Sequence, residues 1–221
     1  MAIYWTDTFD NLAVWRDPWP GASLSQTFAF DGSNSLKFHY TGLDSGSFAD
    51  RQFGVLTEHV FFRFYYFASN MAFNSVGTKV IFCGNVSGAT VPNFWLIVQT
   101  AAKIFFAWQD TADGTANIRQ NITPHVAFAN ERWYCVEAEA KMNTPGLNDG
   151  ISRIWIDGQL VLEYTTLRQR AAGNNAGFNS FRLFVQHGVG DTYYDLLSPG
   201  DERIGCVSSS SIVRSSRIRI M

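Results

Sequence analysis

The residues that could do chemistry cluster late in the chain. Gln186, His187, Tyr193 and Tyr194 fall on neighbouring strands across one turn. A histidine and a phenol can exchange protons with a reacting carbon acid and a leaving oxygen, beside an amide that polarises a carbonyl. Arg63 and Lys141 could add positive charge. Within one strand Gln186 and His187 face opposite ways, so both line one cleft only if a bulge intervenes. The one close carboxylate pair is Glu137 and Glu139. Alternate positions put both on one strand face, where a solvated surface is the plain reading. His39, His59 and His125 have no partners at metal-ligand spacing, and no metal or cofactor is expected. Cys83, Cys135 and Cys206 are too few and too scattered for a disulfide framework, and Cys135 reads as a buried thiol.

These groups must be positioned by strands. From Arg132 to Glu163 the chain reads strand, loop, strand, tight turn, strand. Tyr134, Val136, Ala138 and Ala140 share one face, with Trp133, Cys135, Glu137, Glu139 and Lys141 on the other. The loop NTPGLNDG reverses the chain, and Asp157-Gly158 gives the positive φ values of a hairpin turn. Elsewhere Ile3–Phe9 is expected as a first strand, and Leu24–Phe30 with Leu36–Tyr40 as a hairpin. Thr41–Asp50 and Arg168–Asn179 read as loops. The aromatic run Glu58–Phe67 reads as a central strand covered on both faces. Thr78–Cys83, Phe94–Thr100, Lys103–Gln109, an edge strand Ile118–Ile122, Phe181–His187 and Tyr193–Leu197 follow, with one helical turn in Pro124–Asn130.

The meander also carries a resemblance. Trp133-Tyr134 with Glu137, then Asn143-Thr144-Pro145-Gly146, Asp149-Gly150 and Trp155-Ile156-Asp157-Gly158, resembles the concanavalin A-like lectin/glucanase superfamily. The branch around alginate- and glucuronan-degrading polysaccharide lyases and laminin G-like modules is most similar. Trp5-Thr6-Asp7-Thr8-Phe9-Asp10 resembles the first strand of such domains, and Tyr194-Asp195 through Arg203-Ile204-Gly205 their last. The resemblance implies an all-β fold, a two-sheet antiparallel β-sandwich or jelly roll. It also implies, for a lyase, β-elimination on a uronate glycan by Gln or Arg, His and Tyr on the concave sheet, here Gln186, His187, Tyr193 and Tyr194. The Tyr-x-Lys strand motif and the Arg-rich strand of such lyases are not present.

Length and composition bound the rest. The 221 residues suit one sandwich, residues 1–206, followed by a Ser/Arg/Ile arm, 207–221. Charged residues are only 16% of the chain, and a net charge of −2 argues against a broad nucleic-acid footprint. No apolar run reaches the ~20 residues of a membrane span. The N-terminus does not read as a signal peptide. The expectation is therefore a non-catalytic structural or interaction protein, a phage capsid-decoration, cement or tail-associated component assembled in a host cytoplasm. The alternatives are a uronate lyase and, for location, secretion. Its arm, with Arg214, Arg217, Ile218, Arg219 and Ile220, would bind another copy or a shell protein as an added strand. Trp15, Trp19, Trp95, Trp108 and Trp155 are candidates for stacking on sugars.

Overall fold

The computed structural model describes residues 2–16, 21–42, 47–73, 78–84, 94–98, 104–108, 118–121, 128–168, 170 and 177–207. Among the described residues there are thirteen strands: β1 (Ala22–Ser25), β2 (Ser35–Thr41), β3 (Ser47–Thr57), β4 (His59–Phe73), β5 (Thr78–Gly84), β6 (Phe94–Val98) and β7 (Ile104–Trp108), then β8 (Ile118–Asn121), β9 (Trp133–Lys141), β10 (Gly150–Ile156), β11 (Gln159–Leu167), β12 (Phe178–Gln186) and β13 (Gly188–Gly200). They form two antiparallel sheets, of order β1-β2-β13-β4-β9-β10-β11 and β3-β12-β5-β6-β7-β8. This is the all-β, two-sheet jelly-roll sandwich that the resemblance implies.

Period-two alternation decides what enters the core. From the seven-stranded sheet, Leu36, Phe38, Phe62, Phe64, Tyr66, Val136, Ile154 and Tyr194 point inward. From the six-stranded sheet come Ala49, Phe53, Ile81, Cys83, Phe181 and Leu183. The rings of Phe62 and Phe181 meet edge to face at 4.8 Å, and Tyr194 Oη donates across the sandwich to the Val80 carbonyl at 2.9 Å. Each fully buried large apolar side chain contributes roughly 1.5–3 kcal/mol.

The meander β9-β10-β11 forms as read, with Arg153 opposite Glu139 and Glu163. Asp157 and Gly158 both have positive φ, 51° and 82°, as the two-residue hairpin requires. The loop between β9 and β10 is pinned from outside itself. Asn143 donates to the carbonyls of Thr144, Leu147 and Arg170, while Arg170 donates from its backbone and guanidinium back to Asn143. Arg170 is fully buried, although it lies in a stretch that reads as a plain loop.

Several expectations are corrected. Ile3–Phe9 is not a strand: its pairing with β13 is confined to the isolated bridges Ile3–Gly200 and Asp7–Leu197, with Tyr4 N–H donating to the Pro199 carbonyl between them. β13 is itself irregular beside this segment: Leu196 has φ 47°, and the β13–β4 register shifts between Asp195 and Ser198. β1 stops at Ser25, so Phe28 and Phe30 lie in a long connection rather than a strand. β3 begins inside the expected loop Thr41–Asp50. Arg203-Ile204-Gly205 is a strap, not a closing strand. The helical turn expected in Pro124–Asn130 falls largely outside the described residues.

Candidate functional site

The two sheets present very different outer faces. On the seven-stranded sheet, Arg63, Tyr65, Cys135, Glu137 and Trp155 point outward yet are buried, because residues 201–207 cross over them. Arg203 donates to both carboxylate oxygens of Glu137, at 3.0 and 2.8 Å, and its guanidinium lies 4.5 Å from the Trp155 ring. Gly205 N–H also donates to Glu137, and Arg63 donates to the Gly205 carbonyl. Tyr65 Oη accepts from Val207 N–H and donates to the Val207 carbonyl. A Cys135–Cys206 disulfide fastens the crossing, joining residues 71 positions apart. Cys135 is therefore not a free thiol; only Cys83 is a free, buried one. Cys135, Cys206 and Glu137 stand within metal-ligand reach of one another, but the two sulfurs are spent on each other.

The connection between β1 and β2 closes more of the same face. Phe30 stacks on Tyr65 and Phe28 on Phe67. The Asp195 carboxylate holds that connection by accepting from the N–H groups of Phe30 and Asp31, and it also accepts from Leu196. Burial pushes the Asp195 carboxyl up to about 7, with the three amide donors pulling the other way.

Two ionic clusters flank the covered area. At one end His59 and Arg153 both hold Glu139, and Arg153 also binds Glu163. Burial alone would raise the Glu139 carboxyl, but the His59 and Arg153 bonds outweigh it and hold it low. At the other end Asp191 accepts from Lys37 Nζ at 2.8 Å and His39 Nδ1 at 2.7 Å. Lys37 Nζ also lies 5.7 Å from the centre of the Tyr193 ring. Burial raises the Tyr193 phenol, opposed by Lys37.

The outer face of the six-stranded sheet is built around β12 and β3. Phe181 and Leu183 enter the core, so Arg182 between them faces out. It forks onto Asp50 of β3 through Nε and Nη2, at 2.5 and 2.6 Å. Asp50 is nearly fully buried and its backbone bridges to Arg16 in both directions. Two residues along β3, Gln52 is exposed and lines a pocket with Gly54, Val55, Leu56 and Asn179. At the other end of β12, Gln186 pairs with Lys79 across a register shift. His187 follows with φ 64°, its carbonyl accepting from the Thr78 hydroxyl.

The four residues singled out for acid–base work do not converge. Gln186 and His187 lie at the end of β12, and a register irregularity does sit beside them. Tyr194 is buried between the sheets, and Tyr193 lies on the outer face of the other sheet. Consecutive residues of one strand point to opposite sides, which is why the tyrosine pair cannot serve one cleft. All eight tyrosines are described, and those in strands all belong to the seven-stranded sheet; Tyr4 packs against the core. Among the tryptophans, Trp15 is buried against Phe9 with its Nε1–H donating to Asp7, and Trp155 lies under Arg203. Neither is a stacking platform. Trp95 and Trp108 occupy β6 and β7, and Trp19 lies outside the described residues. Glu137 and Glu139 are buried and ion-paired rather than solvated. Arg63 lies under the strap, and Lys141 ends β9 opposite His59 and Ile151. The arm residues Arg214, Arg217, Ile218, Arg219 and Ile220 lie outside the described residues.

Arg182 and Asp50 escaped attention in the sequence. The signal was there: an arginine between two core residues of a strand must face outward.

No family model and no curated protein sequence matches the chain. Solved structures do. An endo-β-1,4-glucuronan lyase from the fungus Trichoderma reesei is similar over 89% of this chain and 94% of its own, with 18% identity and a TM-score of 0.67. The marine PL-14 alginate lyase from Aplysia kurodai covers 91% of this chain and 100% of its own, at 13% identity and a TM-score of 0.71. An alginate lyase from Chlorella virus covers 82% and 89%, at 15% identity and 0.67. These neighbours overturn the expectation of a non-catalytic phage component, since the fold is shared end to end with polysaccharide lyases. At such identities the likeness establishes architecture: the chain is a jelly-roll β-sandwich.

Proposed function

We propose that this protein is a polysaccharide lyase that cleaves a uronate-containing glycan by β-elimination. The observation that carries the reading is the end-to-end match to glucuronan and alginate lyases, which leaves no large insertion or missing half. The glycan is placed on the outer face of the six-stranded sheet because residues 201–207 and the connection between β1 and β2 cover the centre of the other outer face. In the reaction a base removes the proton from the carbon beside the uronate carboxylate, a double bond forms to the next carbon, and the glycosidic C–O bond breaks. The departing oxygen takes a proton.

His187 is the residue proposed to take the first proton and return it to the leaving oxygen, because all the strand tyrosines belong to the other sheet. Gln186 beside it is proposed to hydrogen-bond the carboxylate of the reacting sugar. At about 3.3 Å per residue, Arg182 stands roughly 13 Å away along β12. It is thus suited to the carboxylate of a different sugar. Its fork to Asp50 fixes the guanidinium plane in advance, the arrangement that favours bidentate carboxylate recognition. The disulfide supports action in an oxidising compartment outside the cytoplasm.

Incubation with glucuronan, alginate or heparin is expected to release unsaturated uronate, detected by ultraviolet absorbance. His187→Ala is expected to lower the rate by about 10²–10⁴-fold. Parent protein that releases no such product from any of the three polymers refutes the assignment.

A further inference from the structure

We infer a sugar-binding subsite at the β3–β12 edge, formed by Gln52, Val55, Leu56 and Asn179, that takes one pyranose ring of a uronate glycan. It rests on the lyase reading for its occupant and on separate geometry for its existence. The ladder between β12 and β3 runs Phe178 opposite Thr57 and then Ser180 opposite Gln52, so two steps on β12 face five on β3. The surplus residues must leave the sheet plane. Gly54 takes φ 86°, a conformation other residues avoid, and starts the excursion. Gly177 allows its other end, because a Cβ there would lie 2.7 Å from the Thr57 carbonyl oxygen. Bulges of this kind recur beside functional sites, where they re-aim side chains.

The excursion creates an open pocket of about 220 Å³, smaller than the roughly 300–1,000 Å³ of drug-sized ligand sites and in keeping with a single sugar ring rather than a longer ligand. Its chemistry is mixed in the way a sugar ring requires. The Gln52 and Asn179 amides can donate to and accept from hydroxyls and a ring carboxylate. Val55 and Leu56, 49% and 61% exposed, offer an apolar surface for the C–H face of the ring. Two adjacent exposed aliphatic side chains on an edge strand are a liability unless something covers them.

Position supplies the occupant. Gln52 follows Asp50 by two residues, on the same face as the Arg182–Asp50 fork. His187, Arg182 and Asn179 therefore fall in one line along β12, about 26 Å long at the rise of a strand. A chain of uronates laid along that line meets the reacting centre, a fixed guanidinium and then the pocket. Short oligosaccharides cannot reach from one end to the other.

The experiment compares binding of a glucuronate trisaccharide and hexasaccharide, by calorimetry, to the parent, Gln52→Ala and Leu56→Ser. Polymer cleavage is measured in parallel. Both substitutions are at exposed positions, and melting temperature checks that each folds. The expected result is hexasaccharide affinity about tenfold weaker in each variant, a higher KM for polymer and an unchanged kcat. Variants that bind and cleave like a cleaving parent overturn the subsite and leave the lyase reading standing. Variant-sensitive binding by a parent that releases no unsaturated product retains the subsite and rejects the lyase reading. A parent that does not bind the hexasaccharide at all overturns the subsite.

Discussion

The outer faces of the two sheets are made by the same alternation but end in opposite conditions. At the centre of the seven-stranded sheet the outward side chains Arg63, Tyr65, Glu137 and Trp155 are buried by chain that arrives from elsewhere, while His39 and Glu163 away from that centre stay exposed. On the six-stranded sheet the described outward groups Arg182 and Gln52 remain in reach of solvent, and the cover stops at Asp50. Facing is a local property of a strand; exposure is set by what crosses it.

Cutting the covalent anchor of the strap is expected to have the largest effect. Cys206→Ser should destabilise the fold by about 2–5 kcal/mol, because the disulfide closes a long loop in the unfolded chain. Denaturant titration checks this, and reduction of the parent by a dithiol should reproduce it. A variant as stable as the parent would mean that the strap is held by its polar contacts alone.

Next in size is Arg203→Ala, expected to lower stability by about 1–3 kcal/mol. The buried Glu137 carboxylate would keep Gly205 N–H but lose two charge-assisted bonds. Gly158→Val falls in the same range, about 1–3 kcal/mol, since it forces a β-branched residue to positive φ. Equal melting temperatures would contradict the geometry of the hairpin turn.

The covered face also carries a pH-dependent contribution. Asp195 lies under the aromatic connection and has its carboxyl raised to about 7 from an ordinary 3.8. Between those values the folded chain binds the proton more tightly than the unfolded one. The contribution is thus fully present below about pH 4 and lost as pH rises through about 7. Carboxyl-carbon NMR should show a titration near neutrality, and Asp195→Asn should flatten this part of the stability profile. A midpoint near 4 would show that the three amide donors win over burial.

The smallest effect belongs to the open face. Gln52→Ala should change stability by less than about 0.5 kcal/mol, as surface substitutions generally do. A large loss would make Gln52 part of the scaffold rather than a surface ready for a ligand.

By itself the sequence determined the local facing. The inward set Tyr134, Val136, Ala138 and Ala140, the turn at Asp157-Gly158 and the central aromatic strand all follow from period two and from turn chemistry, which act between near neighbours. β3 was hidden because Gly54 and its excursion interrupt the alternation that marks a strand. The residues between the expected strands Phe181–His187 and Tyr193–Leu197 belong to β13 from Gly188 onward. The candidate site was legible at Gln186 and His187 only as residue types. Whatever depended on long-range meeting was decided by the tertiary structure alone. Cys135 and Cys206 become partners because the strap crosses β9, and Trp155 is lost as a platform because Arg203 lies on it. Tyr193 and Tyr194 are parted from His187 because β12 and β13 enter different sheets. Spacing along a strand encodes which side a residue takes; it carries no information about which distant segment will arrive to cover that side.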